Sequence, residues 1–292
     1  GVVDIVSMLG SIESVDIACD FETGFINLYT WPGDVLGYLG MDLENAIFKD
    51  LPVRQALAIG FNREAARMES VERYGEVPNS LAFDSFGAAY GTMLGELYPY
   101  DPARAAQCLE EAGWVLHDDG LRYRDEQELF FTFYYNSPNP ILDVIVSRMQ
   151  RDYKDLGIGM LVERVSFEEL TDLVERNACD MYFQARRLPA SALMGANLFV
   201  GEGNLNQSGY DSDRLSLDLR RADYETDPAR QTVLLEGLYQ DLYMELPFIP
   251  LYRRSEMLLV NARVFNVMVT YSHSVLSDAY RFLLKDTLEG QW

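Results

Sequence analysis

Apolar residues recur three and four apart in some stretches of this chain and alternate in others. The change of period marks out its elements. Val53, Ala56, Leu57 and Gly60 form one stripe. They predict a helix after Asp50, with Pro52 in the first turn, where its missing N–H is harmless. Asn62-Arg63 opens a second short helix that the pattern carries to Gly75. Ala105, Cys108, Leu109 and Ala112 form another stripe, between Asp101-Pro102 and Gly113. Those flanks are a cap, a first-turn proline and a stop signal. Ile141, Ile145, Met149 and Tyr153 lie four apart, ended by Gly157. Further helices are predicted over FEELTDLVERN, from Phe167, and within 224–246, starting at Asp227-Pro228.

The strand-like stretches are rich in β-branched and aromatic residues. They are LFFTFYYN (129–136), MLVERVSF (160–167) and DMYFQARR (180–187). Strand, helix, strand, helix, strand in this order predicts an α/β fold with a layered sheet. Residues 34–41, DVLGYLGM, read as a strand crossing between lobes, and FIPLYRRSEMLLV (248–260) as a strand broken by Pro250. The first 45 residues read as strands and turns, the last 30 as short strands, and 75–98 as a long irregular span. No internal repeat or low-complexity segment is present.

Of 292 residues, 48% are hydrophobic and 12% aromatic, enough for a full core. The 24 basic and 46 acidic residues give a net charge of −22. Such a surface repels phosphate backbones and anionic lipid, so no nucleic-acid partner is expected. Cys19, Cys108 and Cys179 are far apart, with no CxxC pair and no histidine nearby, so no zinc site is expected and at least one thiol is free. No run of about 18 apolar residues exists, so no transmembrane helix is predicted. There is no charged segment ahead of the first apolar stretch, and residue 1 is Gly. The chain is expected to have lost any targeting segment upstream.

No catalytic constellation can be assembled. His117 sits in the turn HDDG, and neither it nor His273 adjoins a nucleophile motif such as GxSxG. GxxxxGK[ST] and GxGxxG are absent. GEGNLNQSG (201–209) does not link a strand to a helix, and Asp211-Ser-Asp213 lacks the rest of a calcium loop. No enzyme activity, cofactor or metal is expected.

Five segments, in order, resemble the second half of the family 5 extracytoplasmic solute-binding proteins of peptide and nickel ABC importers. VRQALAIGFNREAA is similar to their "VRQAL..AIDRE" helix, with Asn62 in place of the usual Asp. YDPARAAQCLEEAGW is similar to "YDP.KA..LL.EAGW". SRMQRDYKDLGIGMLVERVSFEEL, NLNQSGYDSDRLSLDLRRA and LYQDLYMELPFIPLYRRSEMLLVN match three further family passages. The resemblance covers roughly residues 30–265. It implies a periplasmic-binding-protein-like (class II) lobe, a mixed sheet flanked by helices, plus partial strands of the other lobe. The implied second lobe is 43–256, with 1–42 as crossover and first-lobe strands and 257–292 as the return segment. The implied function is ligand capture for an ABC importer, most naturally of oligopeptides. The alternatives are a metal chelate, an oligosaccharide or another anionic solute, or, from another class, a peptide or glycan hydrolase. The implied partners are a small solute and membrane permease subunits. The implied location is extracytoplasmic, periplasmic or anchored as a lipoprotein, and the implied state is monomeric.

One departure bears on the ligand. Peptide-binding relatives carry an aspartate for the ligand's α-amino group in a stretch resembling "GW..D...P". From Met181 to Gly201 this chain has no Asp or Glu, and Arg186 and Arg187 stand there instead. A guanidinium suits a carboxylate or another planar anion. The ligand-binding candidates are therefore Arg186 and Arg187, with Gln184, Tyr182 and Phe183 on the same strand. Tyr135 and Asn136 join them, at the end of a strand where ligands of α/β lobes gather.

Overall fold

The structure is a computed structural model and describes residues 4–7, 26–71, 74–78, 98–189, 191–200, 210, 212–268 and 279–284. Its elements run β1 (Ile5–Ser7), β2 (Ile26–Met41), α1 (Leu51–Gly60), α2 (Arg63–Ser70), β3 (Gly75–Glu76) and α3 (Pro102–Glu111). A small hairpin sheet follows, β4 (Val115–Leu116), β5 (Arg122–Arg124) and β6 (Gln127–Glu128). Then come β7 (Phe130–Asn136), α4 (Pro140–Asp155), β8 (Gly159–Val165), α5 (Phe167–Glu175) and β9 (Met181–Arg187). The chain continues through α6 (Ala192–Phe199), α7 (Asp213–Tyr224), α8 (Pro228–Glu245) and β10 (Phe248–Asn261) to β11 (Val264–Phe265) and β12 (Leu283–Leu284).

The chain divides into two compact units. The larger is Asp34–Glu72 with Val77–Arg253, and the smaller is Gly1–Gly33, Arg73–Glu76 and Arg254–Trp292. Strands β2 and β10 pass from one to the other. The boundaries read from the sequence, at 42/43 and 256/257, lie at the end of β2 and inside β10.

In the larger unit the sheet order is β10–β2–β9–β7–β8. β2 and β9 are antiparallel, while β9, β7 and β8 run parallel. The sheet is therefore mixed, and helices cover both its faces. On one side Phe131 and Phe133 pack with Val53, Ala56, Leu57, Met149 and Tyr153 in the main core. On the other, Leu170 and Val174 of α5 bury Tyr182 and Cys179, with Tyr134 and Val165 against them. Gly60 lets α1 approach closely: a Cβ there would lie 2.4 Å from Leu156 Cδ1.

Three buried arginines hold loops to this core through backbone carbonyls. Arg54 donates to Phe48, Lys49, Glu245 and Leu246. Arg63 donates to Pro250 and Tyr98, and Arg122 to Leu156 and Trp114. In the smaller unit β1 and β3 each pair with β10, and β11 pairs with β12. Arg263 forms a 2.6 Å ion pair with Asp4.

The periodicity located the helices well, with informative exceptions. Asn62 and Asp101 cap α2 and α3 through side-chain oxygens that accept from Ala65 and Arg104 N–H. Asp50 occupies the cap position of α1, but its carboxylate makes no cap bond and pairs instead with Arg124 at 2.6 Å. Helix α2 stops at Ser70 rather than Gly75. In α4 the buried residues are Leu142, Ile145, Val146, Met149, Asp152 and Tyr153, so Ile141 sits at the edge of the stripe. Pro250 does not break β10, which runs unbroken from Phe248 to Asn261. A proline removes only one ladder donor, and its carbonyl is used by Arg63. Helices α6 and α7 were not anticipated. His273, the span 79–97 and the segment 201–209 lie outside the described residues.

Candidate functional site

The antiparallel ladder between β2 and β9 sets the site. Asp42 N–H donates to Asp180 C=O and Leu188 N–H to Asp34 C=O. Both pairs lie in the register that joins Val35 to Arg187 and Met41 to Met181. Hydrogen-bonded and non-bonded pairs alternate along such a ladder. The even-numbered residues of β9 therefore turn their backbone groups to β2, and the odd-numbered ones turn theirs to the side of β7. The pairing with β7 covers Met181 and Tyr182, while β7 stays paired with β8 as far as Asn136, and Ser137 N–H donates to Val165 C=O beyond it. Beyond that point Ala185 and Arg187, both exposed, have no partner strand on this side among the described residues. The C-terminal half of β9 is an open sheet edge.

Side chains alternate across the same strand. Phe183 points into the main core and stacks on Tyr252, with ring centres 6.1 Å apart and planes 7° apart. Gly37 makes this possible, since a Cβ there would lie 3.1 Å from both rings. Tyr182 points to the opposite face and lies over Gly40. Both aromatic candidates are thus buried, and each is spent on a glycine of β2.

Gln184 and Arg186 share the Tyr182 face. Gln184 Oε1 accepts from the hydroxyl of Tyr38 at 2.9 Å and from Arg186 Nη2 at 3.2 Å. Tyr38 is buried. Burial pushes its hydroxyl up to about 12, opposed by the neighbouring Arg186. Arg186 Nε is also buried, with no hydrogen-bond acceptor among the described residues. Arg187 points the other way and is ion-paired with Asp34, so the two arginines differ in what they have left to offer.

The two β7 candidates form a separate group. Tyr135 is fully buried. Its hydroxyl donates to Asp143 Oδ1 at 2.5 Å and accepts from Arg164 Nε at 2.5 Å. Burial raises its pKa, and the Asp143 carboxylate raises it further. Asn136 pairs with Val165 at the end of the parallel ladder and is partly exposed. Sequence reasoning missed Tyr38, whose partnership with Gln184 follows from cross-strand register and not from local pattern.

Among the described residues, no three His, Cys, Asp or Glu side chains are grouped so as to hold a metal ion. No described helix is long and apolar enough to cross a membrane. His117 lies on an exposed turn, its ring 4.7 Å from that of Tyr123.

The family model for bacterial extracellular solute-binding proteins, family 5 (middle part), matches residues 3–191. The chain belongs to this family. Over 139 residues this family 5 chain is 30% identical to the oligopeptide-binding protein AppA of Bacillus subtilis, a stretch amounting to 46% of this chain and 25% of that protein. Its fold is similar to that of AppA in complex with a nonapeptide, with a TM-score of 0.76 at 19% identity, covering 98% of this chain and 57% of the other. It is also similar to NikA from Brucella suis in complex with Fe(III)-EDTA, with a TM-score of 0.81 at 18% identity, covering 98% and 58%. The chain thus spans well under two thirds of the length of the proteins it matches. The expected α/β, periplasmic-binding-protein-like architecture is the one observed.

Proposed function

We propose that the full protein containing this chain captures peptides outside the cytoplasm and passes them to an ABC permease. The observation that carries this reading is the open edge of β9 at Ala185 and Arg187, on a chain from a solute-binding family. An extended peptide satisfies such an edge by adding as a further strand, through main-chain hydrogen bonds that are blind to its sequence. The relationship to an oligopeptide-binding protein supports the same choice.

In this reading residues 43–256 form one lobe, and β2 and β10 are crossovers to a first lobe supplied largely by the rest of the full protein. Arg186, Gln184, Ala185 and Arg187 contact the peptide. Tyr182 and Phe183 shape the strand from beneath, and Asn136 lies at the rim, with Tyr135 held by Asp143 and Arg164. Closure of the lobes on a solute shifts a hinge equilibrium that the permease reads. The protein binds and releases its solute unchanged, without a reaction step or cofactor.

The test is thermal unfolding of the full-length protein against peptides, metal chelates and oligosaccharides. A ligand at 100 times its dissociation constant stabilises by about 2.7 kcal/mol. Peptides alone are expected to shift the transition. A shift by chelates or oligosaccharides and not by peptides would overturn the reading.

A further inference from the structure

The cations of the larger unit differ in their partners. Arg54 and Arg63 are used up on backbone carbonyls, and Arg122 on carbonyls and the Glu110 carboxylate. Arg124, Arg148, Arg164, Arg176, Arg187, Arg214 and Arg221 each face a carboxylate. Among the described residues, Arg186 bonds to neutral groups, the Gln184 amide and the Tyr38 hydroxyl. Its Nε–H is buried without an acceptor among the described residues. The chain carries a net charge of −22, yet among the described residues this guanidinium has no ion-pair partner.

The neutral partners have a specific effect. Gln184 Oε1 accepts from both Tyr38 and Arg186, which fixes the guanidinium without neutralising it. Gln184 is itself buried and held by a buried tyrosine, so the charge is presented in a set orientation. The residue between them, Ala185, belongs to the open edge. A solute lying along that edge therefore passes the base of the Arg186 side chain. A planar guanidinium matches a carboxylate through two parallel N–H···O bonds, whereas it repels an ammonium group.

We infer that Arg186, held by Gln184 and Tyr38, receives a carboxylate of the bound solute, so that this part of the site reads the acid end of a peptide and not its amino end. The inference rests on the peptide reading above and deepens it.

The experiment uses the full-length protein and an apolar peptide without acidic side chains, identified as a ligand from a mixed pool. Four forms are titrated by calorimetry: free, amino-acetylated, carboxy-amidated and doubly blocked. Amidation is expected to weaken binding tenfold or more, and acetylation less than threefold. In Arg186→Gln the acid and amide forms should bind equally, and Arg186→Lys should restore part of the preference. The comparison in the unaltered protein is independent of whether the variants fold. Equal affinity for acid and amide, or a preference that survives Arg186→Gln, overturns the inference while leaving peptide binding intact. If no peptide of the pool binds, the peptide reading and this inference fall together.

Discussion

The ring of Tyr182 rests on Gly40. A Cβ at position 40 would lie 2.3 Å from Cε2 and Cζ of that ring and 2.6 Å from its hydroxyl oxygen. The ring cannot retreat easily, because Leu170 and Val174 of α5 pack on the same cluster. Gly40→Ala is therefore expected to destabilise the fold by about 1–3 kcal/mol, the usual range for overpacking a filled core. The urea midpoint measures this, and an unchanged midpoint would show that the ring has room to move.

Arg63 makes a second prediction at the join between α2 and β10. Its guanidinium is buried and donates to the carbonyls of Pro250 at 2.9 Å and Tyr98 at 2.8 Å. Burial lowers its pKa to about 10, which leaves it charged at neutral pH. Arg63→Met fills the space but strands two buried acceptors, at about 1–3 kcal/mol each. A clear loss of stability by chemical denaturation is expected, with Arg63→Lys recovering little because an ammonium cannot span both carbonyls. A neutral Arg63→Met would mean that water replaces the guanidinium.

Alkaline pH should reveal two buried acids. Burial, aided by the adjacent Asp180, pushes the Cys179 thiol up to about 12. Burial pushes Tyr38 up to about 12 as well. Both groups hold their protons more tightly when folded than when unfolded. Stability is therefore full below about pH 9 and falls as pH rises toward 12, because the unfolded chain sheds protons first. Cys179→Ala should make that decline shallower without changing its direction. The native Cys179 thiol should also resist thiol reagents at neutral pH and react only on unfolding. Rapid native labelling would contradict its burial.

How much of this was legible in sequence depends on the range of the interaction. Helices α1, α3 and α4 declared themselves through apolar stripes and flanking prolines or glycines, all set within a few residues. Gly113 and Gly157 indeed adopt positive φ after α3 and α4. Helix α6 escaped because ALMGANLF contains Gly195 and no charged face, so its periodicity is weak. The Pro250 reading failed for the opposite reason: a local breaking signal was overridden by the sheet around it. The candidate strand β9 was found, yet the division of labour along it was not. Arg186 and Arg187 look equivalent in sequence. They separate only because β2 places Asp34 beside one and Tyr38 on the face of the other.

The most direct measurement is amide hydrogen exchange of the full-length protein with and without a saturating peptide, read at Ala185 and Arg187. An extended peptide added to β9 should slow exchange at these two amides strongly. Gln184 and Arg186 already bond to β2 and should change much less. Protection that alternates in this way is the predicted result. Unchanged exchange at Ala185 and Arg187 in a protein demonstrably saturated with peptide would contradict the account, because it would place the ligand away from the open edge.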